Sequence, residues 1–234
     1  MEEERGDGRN ERAQRRPAES RRFSLSALVA DLVSRGFARL GRAAAPPRLR
    51  RHELSVVACD LRGFTRFSGS VTPETVVELL RDYYGSIGET VAAFRGTVKD
   101  HAGDGTLALV GAPRPSRDHA ARAVSMAIEI ARLGDELRQR WRRAGFEIGI
   151  GVGVASGEVT VGSIVAASRI ESVAVGPAVN LAARLCARAR AGQILVEEHT
   201  VELLRAEERR RLERLEAAEL KGFASPVPIF EAIR

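Results

Sequence analysis

The amino-acid sequence predicts an α+β fold, a mixed sheet with helices packed on it and elements in the order β-α-β-β-α-β. Three observations lead there. Residues 54–59 are an apolar, β-branched run apart from Ser55, as in a strand buried on both faces. Residues 72–94 and 116–144 repeat apolar residues with a helical period. Between these helices, two short strands flank the tight turn Gly103-Asp104-Gly105.

Each element has a local cause. The globular part starts near His52. Thr72-Pro73-Glu74 opens the first long helix, with Thr as N-cap, Pro in the first turn and an acid at the positive dipole end. Val76, Leu79, Leu80, Tyr83, Ile87 and Val91 carry it to about Phe94, and Gly96 is expected to stop it. Strands follow at 97–101 and 106–110, then the second long helix over 116–144. Two strands, 146–155 and 158–164, are expected on either side of a Ser156-Gly157 turn. After an irregular stretch comes a helix at 177–189, a strand at 194–196 and a short helix at 200–205. Two last strands fit 215–220 and 227–232. The sum is a ferredoxin-like sandwich with extra C-terminal elements.

Composition narrows the function. Hydrophobic residues make up 44% of the 234, enough for a core, while aromatics are only 5%, so that core rests on Val, Ile, Leu and Ala. Residues 1–51 hold 13 arginines against 7 acids, which accounts for the whole net charge of +6. The 24 basic and 24 acidic residues of 52–234 cancel, so the basic excess belongs to a tail. That tail lacks interleaved aromatics, which argues against nucleic-acid binding. Cys59 and Cys186 have no metal-like spacing and are expected as buried small apolar residues. Met1 is followed by three glutamates, unlike a secretory signal, and no apolar run approaches the ~20 residues that span a bilayer; the expected location is the cytoplasm. Two domains are expected: a basic tail and linker at 1–51 and a catalytic domain at 52–234. Within the tail, residues 24–40 have an amphipathic helical pattern suited to docking on a partner or on a lipid surface.

Asp60 ends the first buried strand, where a carboxylate is costly unless paired. Asp104 sits in the turn between the next two strands. If these strands neighbour the first, both carboxylates converge at one sheet edge. Two hard oxygen ligands there suit magnesium or manganese carried with a nucleotide's phosphates, and the turn after Asp60 offers backbone N–H groups to those phosphates. Asn180 and Arg184 are four apart, on one helical face, where an amide and a guanidinium can hold a ribose oxygen and a phosphoryl oxygen. Taken singly, these residues also suit a turn cap, a hairpin Asp-Gly and a solvated helix face.

Residues 54–68 (LSVVACDLRGFTRFS), 96–113 (GTVKDHAGDGTLALVGAP), 157–164 and 175–186 (VGPAVNLAARLC) resemble, in order and spacing, the motifs of the class III adenylate/guanylate cyclases. The resemblance implies that Asp60, the Leu61 backbone and Asp104 hold two divalent metals, Mg2+ or Mn2+. It implies that Arg62, Gly63, Phe64 and Thr65 lie along the triphosphate. Asn180 would orient the ribose and Arg184 stabilise charge on the transferring phosphorus, both from the other protomer of a homodimer. The implied reaction is ATP to 3′,5′-cyclic AMP and pyrophosphate. Guanylate or pyrimidine cyclase activity and an inactive nucleotide-binding domain are the alternatives. The base-reading positions depart from the pattern: Asp100 stands where many adenylate cyclases carry Lys, and Val173 where many carry Thr or Asp. Gly151 replaces a frequent Arg, whose phosphate contact is then either absent or supplied elsewhere, by Arg62 or Arg169. His101 is expected to be structural.

Overall fold

The computed structural model describes residues 49–166 and 169–233. The helix expected at 24–40 and nearly all of the tail lie outside the described residues.

Strand β1 (Arg50–Arg62) is central. It pairs antiparallel with β3 (Gly105–Val110) on one side and β4 (Gly149–Ala166) on the other. Strand β2 (Gly96–Ala102) extends the β3 edge. Beyond β4 come β6 (Ile194–Glu197), β8 (Ile229–Ala232) and β7 (Leu212–Arg214), giving the order β2-β3-β1-β4-β6-β8-β7. Among the described residues only the β4–β6 pair is parallel. The first four strands follow the expected ferredoxin-like arrangement, and the remainder are the added elements.

Alternation along β1 builds two cores. Val57, Cys59 and Leu61 face α2 (Pro73–Ala93) and α3 (His119–Arg143), meeting Leu79, Tyr83, Ile87, Met126 and Ile130. Leu54, Val56 and Ala58 face α4 (Pro177–Arg188), meeting Ala178, Val179, Ala182 and Cys186. Both cysteines are buried and free. Helix α4 lies so close to β4 that a Cβ on Gly153 would come 2.2 Å from the Cys186 nitrogen.

Helix α2 starts as its sequence dictates, with the Thr72 hydroxyl accepting from the Thr75 N–H at 3.4 Å. It ends before Gly96, because Arg95 takes the left-handed turn at φ 52° and Gly96 already belongs to β2. Helix α3 begins three residues later than expected. Asp118 takes the N-terminal position, and its carbonyl receives the Arg122 N–H at 3.0 Å while its carboxylate receives Arg122 Nε at 3.0 Å.

Four further expectations are corrected. The Ser156-Gly157 turn does not form: β4 is one strand of 18 residues. Gly157 carries the chain through at φ 152°, and β1 pairs with β4 on both sides of it. The irregular stretch contains a strand, β5 (Arg169–Val175), folded back on Thr160–Ala166 of β4. The last two strands are shorter than expected. The first of them forms as β7, ahead of the expected 215–220, and within 215–228 only an isolated bridge joins Ala218 to Val227, since Pro226 and Pro228 have no N–H for a ladder. The short helix also starts earlier, as α5 (Glu198–Glu202), followed by α6 (Ala206–Arg209). The Glu197 carboxylate caps α5 through the His199 and Thr200 N–H groups, both at 2.7 Å.

Candidate active site

Asp60 and Arg62 share the α4 side of β1 with Ala58, since alternate residues of a strand point to one face. In register, Asp60 lies opposite Gly105, and the Leu61 N–H donates to the Asp104 carbonyl at 3.0 Å. The expected convergence of Asp60, Leu61 and Asp104 at one end of the sheet is therefore present. Burial, then the Asp104 charge, pushes the Asp60 carboxyl up to about 6, against the pull of Arg62. Burial also raises Asp104, offset by its own backbone N–H and by Arg62. Two acids that resist ionising together are a site short of positive charge.

Arg62 partly answers that deficit. Its Nη1 donates to Asp60 Oδ2 at 2.6 Å and its Nε to the Ala189 carbonyl at 2.8 Å, and Nη2 donates to the Cys186 carbonyl. In the sequence it stood as a phosphate ligand; in the structure it faces inward onto Asp60 and the end of α4.

The turn after β1 is held from below. Gly63 sits at φ 82°, where a Cβ would come 2.3 Å from the Glu147 carbonyl oxygen. The short helix α1 (Phe64–Ser68) follows. Phe67 anchors it, 2% exposed, edge-on to Trp141 at 5.1 Å and Phe146 at 5.0 Å between ring centroids. Phe64 is half-buried and Thr65 exposed, and the first N–H groups of the helix have no intrahelical acceptor.

Asn180 and Arg184 lie on the outer side of α4, Asn180 exposed and Arg184 half-buried, because Ala178, Val179, Ala182, Ala183, Leu185 and Cys186 take the inner side. The fold thus brings the carboxylates together and turns the Asn–Arg pair away from them.

Asp100 and Val173 are both half-buried, on β2 and β5. A register shift between Val98 and Asp100 leaves Lys99 out of the β2–β3 ladder. Strands β2 and β5 come within 8 Å of each other at Cα, so these two positions lie on neighbouring segments of one chain. The Arg169 side chain lies outside the described residues. His101 is occupied structurally: Nδ1 lies 2.9 Å from the Thr106 hydroxyl, the ring 4.2 Å from that of Tyr84, and burial lowers its pKa. Tyr84 was not foreseen. Its hydroxyl donates to the Gly103 carbonyl and so steadies the Asp104 turn from α2. No spacing in the sequence links positions 84 and 103; only packing does.

The family model of the adenylate and guanylate cyclase catalytic domain matches residues 48–230. The chain belongs to this family. It is similar to an uncharacterized protein of Mycobacterium tuberculosis, 33% identical over 187 residues, covering 78% of this chain and 33% of that protein. It therefore spans about a third of that relative's length. Among solved structures, it resembles the adenylyl cyclase CyaB of P. aeruginosa at 30% identity and a TM-score of 0.73, covering 80% of this chain and 96% of that one. It resembles the guanylyl cyclase Cya2 at 32% identity and a TM-score of 0.71, covering 78% and 92%.

Cyclase domains of this family use divalent metals. The donors here fit such an ion. Asp60 and Asp104 supply hard oxygens, and the Leu61 carbonyl points, like its N–H, to the Asp104 side of an extended strand. Among the described residues no group of three or more His, Cys, Asp or Glu forms a closed metal cage. Two carboxylates with the remaining positions left to water and phosphate is the arrangement magnesium favours. Among the described residues no helix is long and apolar enough to cross a membrane.

Proposed function

We propose that this cyclase domain converts a nucleoside triphosphate, ATP in first place, to its 3′,5′-cyclic monophosphate and pyrophosphate, working as a homodimer. The observation that carries this is the opposed geometry just described. Asp60 and Asp104 converge at one end of the sheet, while Asn180 and Arg184 face outward on α4. Two such domains, each offering its α4 stripe to the other's carboxylates, complete two sites by symmetry.

Bound metals would polarise the phosphates and ease loss of the 3′-hydroxyl proton. The chain's own residues do the rest. Asp60, Asp104 and the Leu61 carbonyl hold the charge in place. The N–H groups of the 63–65 turn, braced by Phe67, lie along the triphosphate. Asn180 of one protomer orients the ribose against the other protomer's carboxylates. The ribose O3′ bonds to the α-phosphorus, its proton passes to solvent, and the bond to the β-phosphate oxygen breaks to release pyrophosphate. Arg184 meets the charge that gathers on the transferring phosphoryl oxygens.

The base is read by β2 and β5. Asp100 accepts the adenine amino group, and Val173 adds no polar check, so discrimination against GTP is modest. Similarity to an adenylyl and a guanylyl cyclase at 30% and 32% identity leaves both purines in play. Residues 52–234 form the catalytic domain, and residues 1–51 are an appended tail whose 24–40 helix docks on a partner or a membrane surface.

The test is to incubate purified protein with Mn2+ and each of ATP, GTP, CTP and UTP, and to identify products by mass. Cyclic AMP in excess, with lesser cyclic GMP, supports the proposal. Nucleotide binding without any cyclic product would instead make this a non-catalytic binding domain.

A further inference from the structure

We propose that Arg62 is a positioning residue that serves as the resident counter-cation of the metal-free carboxylate pair, tying Asp60 to the C-terminal end of α4 and holding back metal until nucleotide arrives. The proposal rests on Asp60 and Asp104 being metal ligands.

Three features carry it. The first is how the guanidinium is used. One edge holds Asp60 at 2.6 Å, and the other donates to the Ala189 carbonyl at 2.8 Å and to the Cys186 carbonyl. The Cys186 carbonyl also receives the Ala189 N–H at 3.1 Å, but the last carbonyls of a helix form the negative end of its dipole, so a cation is suited there. A planar fork of five donors can bridge a carboxylate and two carbonyls; an ammonium lacks that geometry. The second is space. Gly151 lies opposite Asp60 in the β1–β4 register. A Cβ there would come 2.7 Å from Arg62 Nη2, 2.8 Å from Nε and 2.8 Å from the Ala189 carbonyl oxygen. The guanidinium lies over the glycine, in room that any side chain at position 151 would take. The third is charge. The guanidinium lies 2.6 Å from Asp60, beside the Leu61 N–H that holds the Asp104 turn. A guanidinium on the pair offsets part of its negative charge and repels an incoming metal.

The consequence is an order of loading. Without nucleotide, a divalent ion must compete with Arg62 for Asp60. A triphosphate brings enough negative charge to satisfy both the metals and the guanidinium. Metal is then retained when nucleotide comes with it. The same tie couples the carboxylates to α4, which presents Asn180 and Arg184 on its outer side.

The experiment titrates the full chain with Mn2+, with and without a non-cyclisable ATP analogue, following free Mn2+ by electron paramagnetic resonance. Arg62→Gln keeps a donor for the α4 carbonyls but removes the charge. It is expected to bind Mn2+ about tenfold tighter than wild type without nucleotide, the order of effect of one partly screened charge at close range. With nucleotide the difference should shrink. Arg62→Lys keeps the charge and loses the fork, so Mn2+ affinity should stay near wild type while the melting temperature falls. Gly151→Ala should displace the guanidinium and shift Mn2+ affinity in the direction of Arg62→Gln. Unchanged or weaker Mn2+ binding in Arg62→Gln, with wild type binding normally, overturns the proposal alone. If wild type and Asp60→Asn hold Mn2+ equally in the presence of nucleotide, Asp60 is not a ligand, and the reading beneath the proposal is overturned with it.

Discussion

Replacing Phe67 by alanine should loosen the phosphate turn from beneath without touching a carboxylate. The ring is 2% exposed and edge-on to Trp141 and Phe146, at 5.1 and 5.0 Å. Truncating a buried phenylalanine to alanine costs about 3–5 kcal/mol, which includes the cavity left behind. Each of the two aromatic contacts contributes roughly 0.5–1.5 kcal/mol of that loss. A domain with an ordinary stability of about 5–15 kcal/mol survives this, but with a much lower midpoint. Urea denaturation followed by far-UV circular dichroism measures the loss directly. Phe67→Leu keeps most of the volume and should lose less than half as much. Nucleotide affinity should fall in Phe67→Ala at a temperature where the protein is still folded, because the 63–65 N–H groups are then poorly aimed. A stability loss under 1 kcal/mol would refute the view that Phe67 anchors this turn, as would full stability loss with unchanged nucleotide binding.

Other perturbations address the dimer, the base and pH. Asp60→Ala and Arg184→Ala should each be inactive alone. Mixed in equal amounts, they should recover about a quarter of wild-type turnover, since half the dimers are mixed and each has one intact site; no recovery despite demonstrated subunit exchange would mean a site within one chain. Asp100→Ala should narrow the ATP/GTP rate ratio by tenfold to a hundredfold at most, about the effect of one unpaired hydrogen bond. An unchanged ratio would move base reading elsewhere. Stability should fall with acid through His119. Burial lowers its pKa, with Arg122 and His199 acting in the same sense and Glu53 and Asp118 opposing, while Ser55 lies 2.8 Å from Nδ1. A histidine depressed in the folded state contributes stability that is complete above its unfolded pKa of about 6.5 and is lost as pH falls below it. His119→Gln should flatten the melting temperature between pH 7 and 5; an unchanged slope would assign the acid sensitivity to another group.

What the sequence determined by itself was local or strongly periodic. Residues 54–59 are apolar and β-branched apart from Ser55, and a run of that kind is satisfied between two layers, as observed, with the Ser55 hydroxyl met by His119 and Ser156. Thr72-Pro73-Glu74 starts a helix by backbone chemistry alone. Asp60, Asp104, Asn180 and Arg184 stood out through the resemblance of their motifs to the cyclase family, and the fold brings Asp60 and Asp104 to one end of the sheet. Tertiary structure decided the rest. Whether Ser156-Gly157 turns or runs straight depends on β1 being long enough to pair on both sides of it. The strand β5 has a weak pattern of its own and forms because β4 offers it an edge. The placement of Arg62 was decided by three partners far away in the chain: the Cys186 and Ala189 carbonyls, which α4 delivers, and the bare backbone of Gly151 beneath the guanidinium. A side chain that reaches several ångströms chooses among acceptors only once the fold has brought them near, and that choice leaves no periodicity in the sequence.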